Sequence, residues 1–382
     1  MGAKRWLTVV VVGMIAGPTT ARAQTAVVWA GANDAPNTLI TGVWDGARMT
    51  FLPEVESGGE SPGGDRGFTE SQVRAYVGRG PGECSLLAQT NVASGNLAIY
   101  TLDDAGRATH VAGSPFPIAG QAAAIAWARD GQAIYVSRAF AGAAVVATFR
   151  VGCVRGQPAA VGDAGSVTLS SIESLRDLDV TASGSHLCAS GLGSHNVGCF
   201  AIDPTTRVPS ATPTNTLTVP SARGLRISGA TGCGLLGLPQ SNQVSGFTVD
   251  RSGLLSLTNT APSAAPPFHG AFSPDGAFAA YGSSCCRREV ALYAMGRGCQ
   301  VQSLGSTDRV DGGGAPYVAF DAANRLYVAD YGANRIRVFQ ATSAGAVPVG
   351  AVVTTHARPN PPIGIDAALL SALADRPATP VP

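Results

Sequence analysis

The chain has 382 residues, 45% of them apolar and 13% charged, with 48 glycines, 25 prolines and a formal net charge of +1. The apolar share excludes a disordered chain, and the charge balance offers no basic surplus for nucleic acid or anionic lipid. Lys4 is the only lysine, so a P-loop lysine, a Schiff-base lysine and a Ser–Lys dyad are excluded from everything beyond it.

Met1–Ala23 carries the three-part pattern of a secretory signal: Lys4 and Arg5, an apolar run over Trp6–Ala16, and the A-x-A site Ala21-Arg22-Ala23. That run is too short to span a bilayer, no cysteine follows the cleavage site, and no other stretch approaches a membrane span. A secreted or periplasmic protein is expected, with 23 basic against 25 acidic residues once the signal is removed. All eight cysteines lie beyond the signal, and an even count in that context implies disulfides. There is no C-x-x-C or H-x-x-x-H pair, so neither a metal nor another cofactor is expected.

Asn196–Asp203, NVGCFAID, sets the organisation: alternating small and apolar residues, an aromatic, then an acid three places on. The aromatic returns at Tyr100, Phe149, Phe200, Phe247, Tyr293 and Phe339, in steps of 49, 51, 47, 46 and 46 residues. A period in the forties built only of strand-like segments predicts an all-β, seven-bladed β-propeller of four-stranded antiparallel blades, spanning 24–370 as one domain.

Thr25–Val55 supplies three strands, AVVWAGAN, NTLITGVWD and MTFLPEV, and lacks an inner one. Glu56–Glu70 is a Gly/Ser/Pro-rich acidic linker. Six blades follow: Ser71–Ile118, Ala122–Ser171, Leu175–Pro220, Arg223–Ala261, Pro267–Arg309 and Ala315–Thr355. Their A–B turns carry Asp130-Gly131, Ser183-Gly184, Thr231-Gly232, Asp275-Gly276 and Ala323-Asn324, the residue types that tight hairpins select. Pro361–Leu369, PPIGIDAAL, reads as an inner strand without a blade, so the two ends of the chain are expected to pair and close the first blade. Asp366–Arg376 can also be read as a short helix, with 371–382 as a loose tail.

Two stretches, NLAIYTLDDAGRATHVAGSPF at Asn96–Phe116 and PFHGAFSPDGAFAAYG at Pro267–Gly282, resemble the lactonase-type, six-phosphogluconolactonase-like propellers. RLYVADYGANRIRVF, Arg325–Phe339, resembles an NHL repeat. The resemblance implies the seven-bladed fold and, as one possible activity, lactone opening. It rests on turn glycines, strand aromatics and inter-strand aspartates, and brings no catalytic signature onto a position of this chain.

In a propeller the starts of the A strands and the B–C loops share one face, where loops on a rigid scaffold carry function. Counting back from each A–B turn puts Ala124, Asp177, Leu225, His269 and Tyr317 at that mouth, with Arg176 and Arg223 beside them. The B–C loops add Arg138, His195, Gln240, Arg287, Arg288, Asp330 and Tyr331. Of these, Arg176, Asp177, Arg223, His269, Tyr317, Arg287, Arg288, Asp330 and Tyr331 are the binding candidates. Arginine suits a carboxylate or a lactone oxyanion, and His269 or Asp177 a water to be activated. The same residues also read as solvated loop charges and strand-end caps.

Gly59–Gly63 matches G-x-S-x-G but sits in the linker, and Gly232–Gly237 matches G-x-G-x-x-G but opens a strand; neither has the helix its chemistry needs. Asp177 and Asp179 share a strand face, yet a metal needs more ligands. Cys188 and Cys199 face each other across a B–C hairpin. Cys84 and Cys233 follow A–B turns, while Cys153 and Cys299 follow C strands one blade later, which suggests 84–153 and 233–299. Cys285 and Cys286 allow a vicinal bridge, or Cys286 bonds Cys299. The expected function is a disulfide-stabilised platform for an unidentified small molecule or secreted protein; the alternative is a lactone hydrolase.

Overall fold

The aromatic-plus-acid pattern forms strands for a local reason. The acid after the C strand turns the chain: Oδ1 of Asp203 accepts the N–H of Thr205 at 2.8 Å and of Thr206 at 2.6 Å. Asp45, Asp103 and Asp250 do the same in their own blades. These backbone donors hold the Asp45 and Asp203 carboxyls below the usual range, while at Asp250 the Ser252 hydroxyl contributes most.

The computed structural model describes residues 25–32, 35–60, 73–78, 82–138, 142–154, 156–283, 289–307, 317–330, 335–350, 353–354 and 362–369. They form seven antiparallel sheets, each of four strands, with the outermost strand of blades 1, 2 and 7 broken in two. The inner strands are Val73–Tyr76, Ala122–Trp127, Leu175–Val180, Arg223–Ile227, Pro267–Phe272, Tyr317–Phe320 and Pro362–Leu369. The last of these completes the first blade from the far end of the chain, pairing with Ala26–Ala32 in the register Ala26↔Leu369 and Trp29↔Asp366. Asp366–Leu369 are thus strand, not the start of a helix. No helix among the described residues is long and apolar enough to cross a membrane.

The core lies between blades. Seven hydrophobic clusters are resolved among the described residues, and each joins two neighbouring blades. The repeating aromatics sit in them: Tyr100, Phe200, Tyr293 and Phe339 have no exposed surface, and Phe149 and Phe247 almost none. Burying one such side chain is worth about 1.5–3 kcal/mol, so each interface is a large part of the fold's stability.

Blade 3 departs from the sequence expectation. Its outer hairpin runs Ala143–Val154 and Gln157–Glu173, so its last strand passes the expected blade boundary at Ser171. The pairing runs on from Ala143↔Glu173 to Val154↔Gln157, and register shifts absorb the irregularities.

Among the described residues three disulfides fasten the blades, Cys84–Cys153, Cys188–Cys199 and Cys233–Cys299. Two of them join consecutive blades. Because Cys299 bonds Cys233, the Cys286–Cys299 pairing does not form. Cys285 and Cys286 lie outside the described residues.

Candidate functional site

Side chains alternate along each inner strand between the two faces of its sheet, so each strand serves the clusters on both sides of its blade. The A–B turn bonds fix the register: Ala128 N–H to Ala133 O, Thr181 to His186, Ser228 to Cys233, Ser273 to Phe278 and Asp321 to Arg325, at 2.8–3.1 Å. Four residues before each donor lies one channel level: Ala124, Asp177, Gly224, His269 and Tyr317. Two residues further on is a second level. Taken round the ring from blade 1 it reads Asp366, Arg74, Ala126, Asp179, Arg226, Ala271 and Ala319.

At the first level Asp177 is fully buried. It accepts the Gly224 N–H at 2.9 Å, the Ser190 hydroxyl at 3.4 Å and Arg226 Nη1 at 3.3 Å. His269 is buried and stacked on Tyr317, with ring centroids 3.9 Å apart. Burial, reinforced by Arg226 and Arg223, pushes the imidazole down to about 3, and its Nδ1 has no hydrogen-bond partner among the described residues. Arg223 is buried and lies over the Phe268 ring at 5.0 Å. Arg176 is half-buried. The structure therefore gathers Asp177, His269, Tyr317 and Arg223 around the channel. Asp330 ends the strand Arg325–Asp330, and Arg287, Arg288 and Tyr331 lie outside the described residues.

Counting from the turn had put Leu225, not Gly224, at this level. The fifth blade closes its A–B turn with Gly232 N–H to Ser228 O, one residue longer than the Gly184-to-Thr181 bond of blade 4. Leu225 therefore faces the core between blades 4 and 5, and Arg226 enters the channel. Gly224 sits at φ +59°, where a Cβ would lie 2.6 Å from the Phe268 carbonyl oxygen. Only glycine fits this close approach of two inner strands.

All of the second level except Ala126 lines a cavity of about 580 Å³ at the A–B turn end of the channel, the end opposite the expected mouth. Its charged wall comes from Arg74, Asp179, Arg226 and Asp366, while Ala271 and Ala319 leave room on the other side. Each carboxylate ties its strand to the next blade: Asp366 Oδ2 accepts the Ala75 N–H and Asp179 Oδ2 the Ile227 N–H, both at 2.8 Å. The other oxygens accept Ala367 N–H at 2.9 Å and Val180 N–H at 2.8 Å. Arg129 spans blades 3 to 5, donating to the carbonyls of Thr181 at 3.2 Å, Val180, and Ile227 at 3.0 Å. Arg226 donates through Nε to Gly270 O at 2.9 Å and through Nη1 to Leu225 O at 2.6 Å.

Arg74 differs. The Trp127 indole N–H holds its backbone carbonyl at 2.9 Å, but its guanidinium makes no hydrogen bond to the described residues. Burial and the Arg226 charge lower it to about 10, against the pull of Asp366, Asp179 and Asp177, so it stays a cation at neutral pH. Burial raises the Asp366 carboxyl, and Arg74 offsets part of that shift. One uncommitted guanidinium and one carboxyl of raised pKa thus share a cavity, an arrangement that can polarise a carbonyl and take a proton from water. None of these cavity residues except Asp179 stood out in the sequence. The signal was the inward position two residues beyond the mouth level in VRAY and PPIGID.

Residues 85–225 match the family model described as Lactonase, 7-bladed beta-propeller. No curated protein matches the chain. The fold is similar to that of a candidate 6-phosphogluconolactonase from Bacteroides fragilis, at 15% identity and TM-score 0.69, covering 92% of this chain and 99% of that one. It is also similar to a periplasmic gluconolactonase from Pseudomonas aeruginosa, at 17% identity and TM-score 0.67, covering 91% and 99%. The chain is a seven-bladed β-propeller of the lactonase type in fold, and over residues 85–225 its sequence matches that family.

Proposed function

We propose that the protein is a secreted or periplasmic hydrolase that opens lactone rings in the cavity at the A–B turn end of its channel. The observation that carries this reading is the uncommitted Arg74 guanidinium beside Asp366, whose carboxyl is raised by burial. The match to the lactonase family over 85–225 and the likeness to a periplasmic gluconolactonase support it, and the disulfides suit an oxidising compartment.

In this mechanism Asp366, as carboxylate, takes a proton from a water whose oxygen bonds to the lactone carbonyl carbon. The carbonyl oxygen becomes an oxyanion against Arg74. Collapse re-forms the C=O and breaks the ring C–O bond, and Asp366 returns its proton to the departing alkoxide. The product is the hydroxy acid, and Asp366 ends as it began.

The test is turnover of a panel of five- and six-membered lactones by the mature protein, corrected for spontaneous opening. Turnover is expected, with Arg74→Gln and Asp366→Asn each lowering kcat/KM by about 10²–10³ while the fold is retained. A panel left untouched, with a ligand held in the cavity, would favour the binding-platform reading instead.

A further inference from the structure

When the ring C–O bond breaks, the departing oxygen gathers negative charge while Arg74 is engaged with the carbonyl oxygen. We propose, resting on the hydrolase reading above, that Arg129 is a further catalytic residue, whose Nη1 donates to the ring oxygen and stabilises it as it leaves.

Blade 3 puts Ala126 at the second level, and Ala126 does not line the cavity. The group that blade 3 brings to the cavity is Arg129, three residues on at the A–B turn. Its guanidinium is already held along one edge. Nε donates to Thr181 O at 3.2 Å, and Nη2 donates to the Val180 carbonyl and, at 3.0 Å, to Ile227 O, with Asp179 Oδ1 3.5 Å away. Nη1 makes no hydrogen bond to the described residues. Gly229 keeps that edge bare, since a Cβ there would lie 3.3 Å from Nη1. The side chain is still 31% exposed with its other edge capped.

Two arginines, Arg74 and Arg129, therefore meet the cavity with open N–H groups. A lactone has two oxygens that gain charge in turn, the carbonyl oxygen on attack and the ring oxygen on collapse. Arg74, beside Asp366, serves the first, and Arg129 the second. A guanidinium fixed by three backbone carbonyls before the substrate arrives needs no rearrangement as charge develops. Arg129 keeps its protons throughout. The ring C–O bond breaks, its electron pair stays on the oxygen, and Asp366 delivers the proton as before.

The experiment compares kcat/KM for two six-membered lactones, δ-valerolactone, which releases an alkoxide, and dihydrocoumarin, which releases the much weaker base phenolate. Arg129→Gln is expected to lower kcat/KM by about 10² for δ-valerolactone and by less than about threefold for dihydrocoumarin, whose leaving group needs little help. The ratio of the two, taken on one sample, does not depend on the folded fraction, so a merely structural role of Arg129 leaves it unchanged. Should Arg129→Gln not fold, Gly229→Val keeps the carbonyl bonds of Arg129 while covering Nη1. It is expected to move the ratio the same way by at least about tenfold. An equal loss on both lactones, or a larger loss on dihydrocoumarin, overturns the role of Arg129 and leaves the hydrolase reading standing. A parent protein that opens only phenolic lactones also overturns this inference alone. One that opens no lactone overturns the hydrolase reading, and this inference falls with it.

Discussion

Asp366 Oδ2 accepts the backbone N–H of Ala75 at 2.8 Å, across 291 positions of sequence. The bond fastens the strand that completes blade 1 to the inner strand of blade 2. Removing the acceptor leaves a partly buried N–H unpaired, which costs up to about 1–3 kcal/mol. Asp366→Ala is therefore expected to lower the denaturant midpoint clearly. Asp366→Asn, which keeps one of the two acceptor oxygens, should lose less. Equal loss in both would mean the hydrogen bond contributes little.

The same carboxyl governs a pH profile. Burial raises Asp366 above its ordinary value of 3.8, so the base form appears at higher pH than for a solvated aspartate. Lactone turnover is expected to climb with pH along a single-proton limb displaced above that value, and Asp366→Asn should abolish the limb. The stability linkage has the opposite sense. A carboxyl whose folded pKa is raised favours the fold while protonated, and that contribution fades as pH rises through the folded pKa.

His269 titrates the other way. Its imidazole is neutral in the fold down to about 3, against 6.5 when unfolded. Below 6.5 the unfolded chain takes up a proton that the folded chain refuses, so stability drops as pH falls, by up to about 1.4 kcal/mol per pH unit. Chemical denaturation at a series of pH values between 6.5 and 3 should show this slope, and His269→Phe should flatten it relative to the parent.

The disulfides should differ in weight. Cys84–Cys153 and Cys233–Cys299 close loops of 69 and 66 residues, whereas Cys188–Cys199 closes 11. Chain entropy assigns about 4 kcal/mol to each long bridge and about 3 kcal/mol to the short one. Paired Cys→Ala variants compared by thermal denaturation are expected to rank in that order. A short-bridge variant that loses the most would contradict it.

Gly224→Ala should be costly for two separate reasons, a left-handed backbone and a clash with the Phe268 carbonyl. A loss of at least about 2 kcal/mol is expected, well beyond an ordinary surface change. An Ala variant with parental melting would show that the two inner strands can move apart.

The blade count, the shared first blade and the cross-blade bridges were legible because they rest on period and turn chemistry. Phe200 followed by Asp203 is a strand and its turn wherever it occurs. The cavity was harder to read. One extra residue in the turn at Ser228–Gly232 shifts blade 5 by a position, exchanging Leu225 for Gly224 and bringing Arg226 into the channel. Arg74 looked like an ordinary strand arginine, because nothing in VRAY shows that Asp366, from the far end of the chain, shares its cavity. The long hairpin of blade 3 was missed because Val154 and Gln157 flank a turn with no strong dipeptide signal.

Completing blade 1 with Pro362–Leu369 also sets an order of events in assembling the ring. Six sheets can stack without that strand, yet the cylinder stays a gapped arc until Pro362–Leu369 is in place. Arg74 and Asp366 meet only when that gap shuts, so the cavity is the last part of the molecule to come into being.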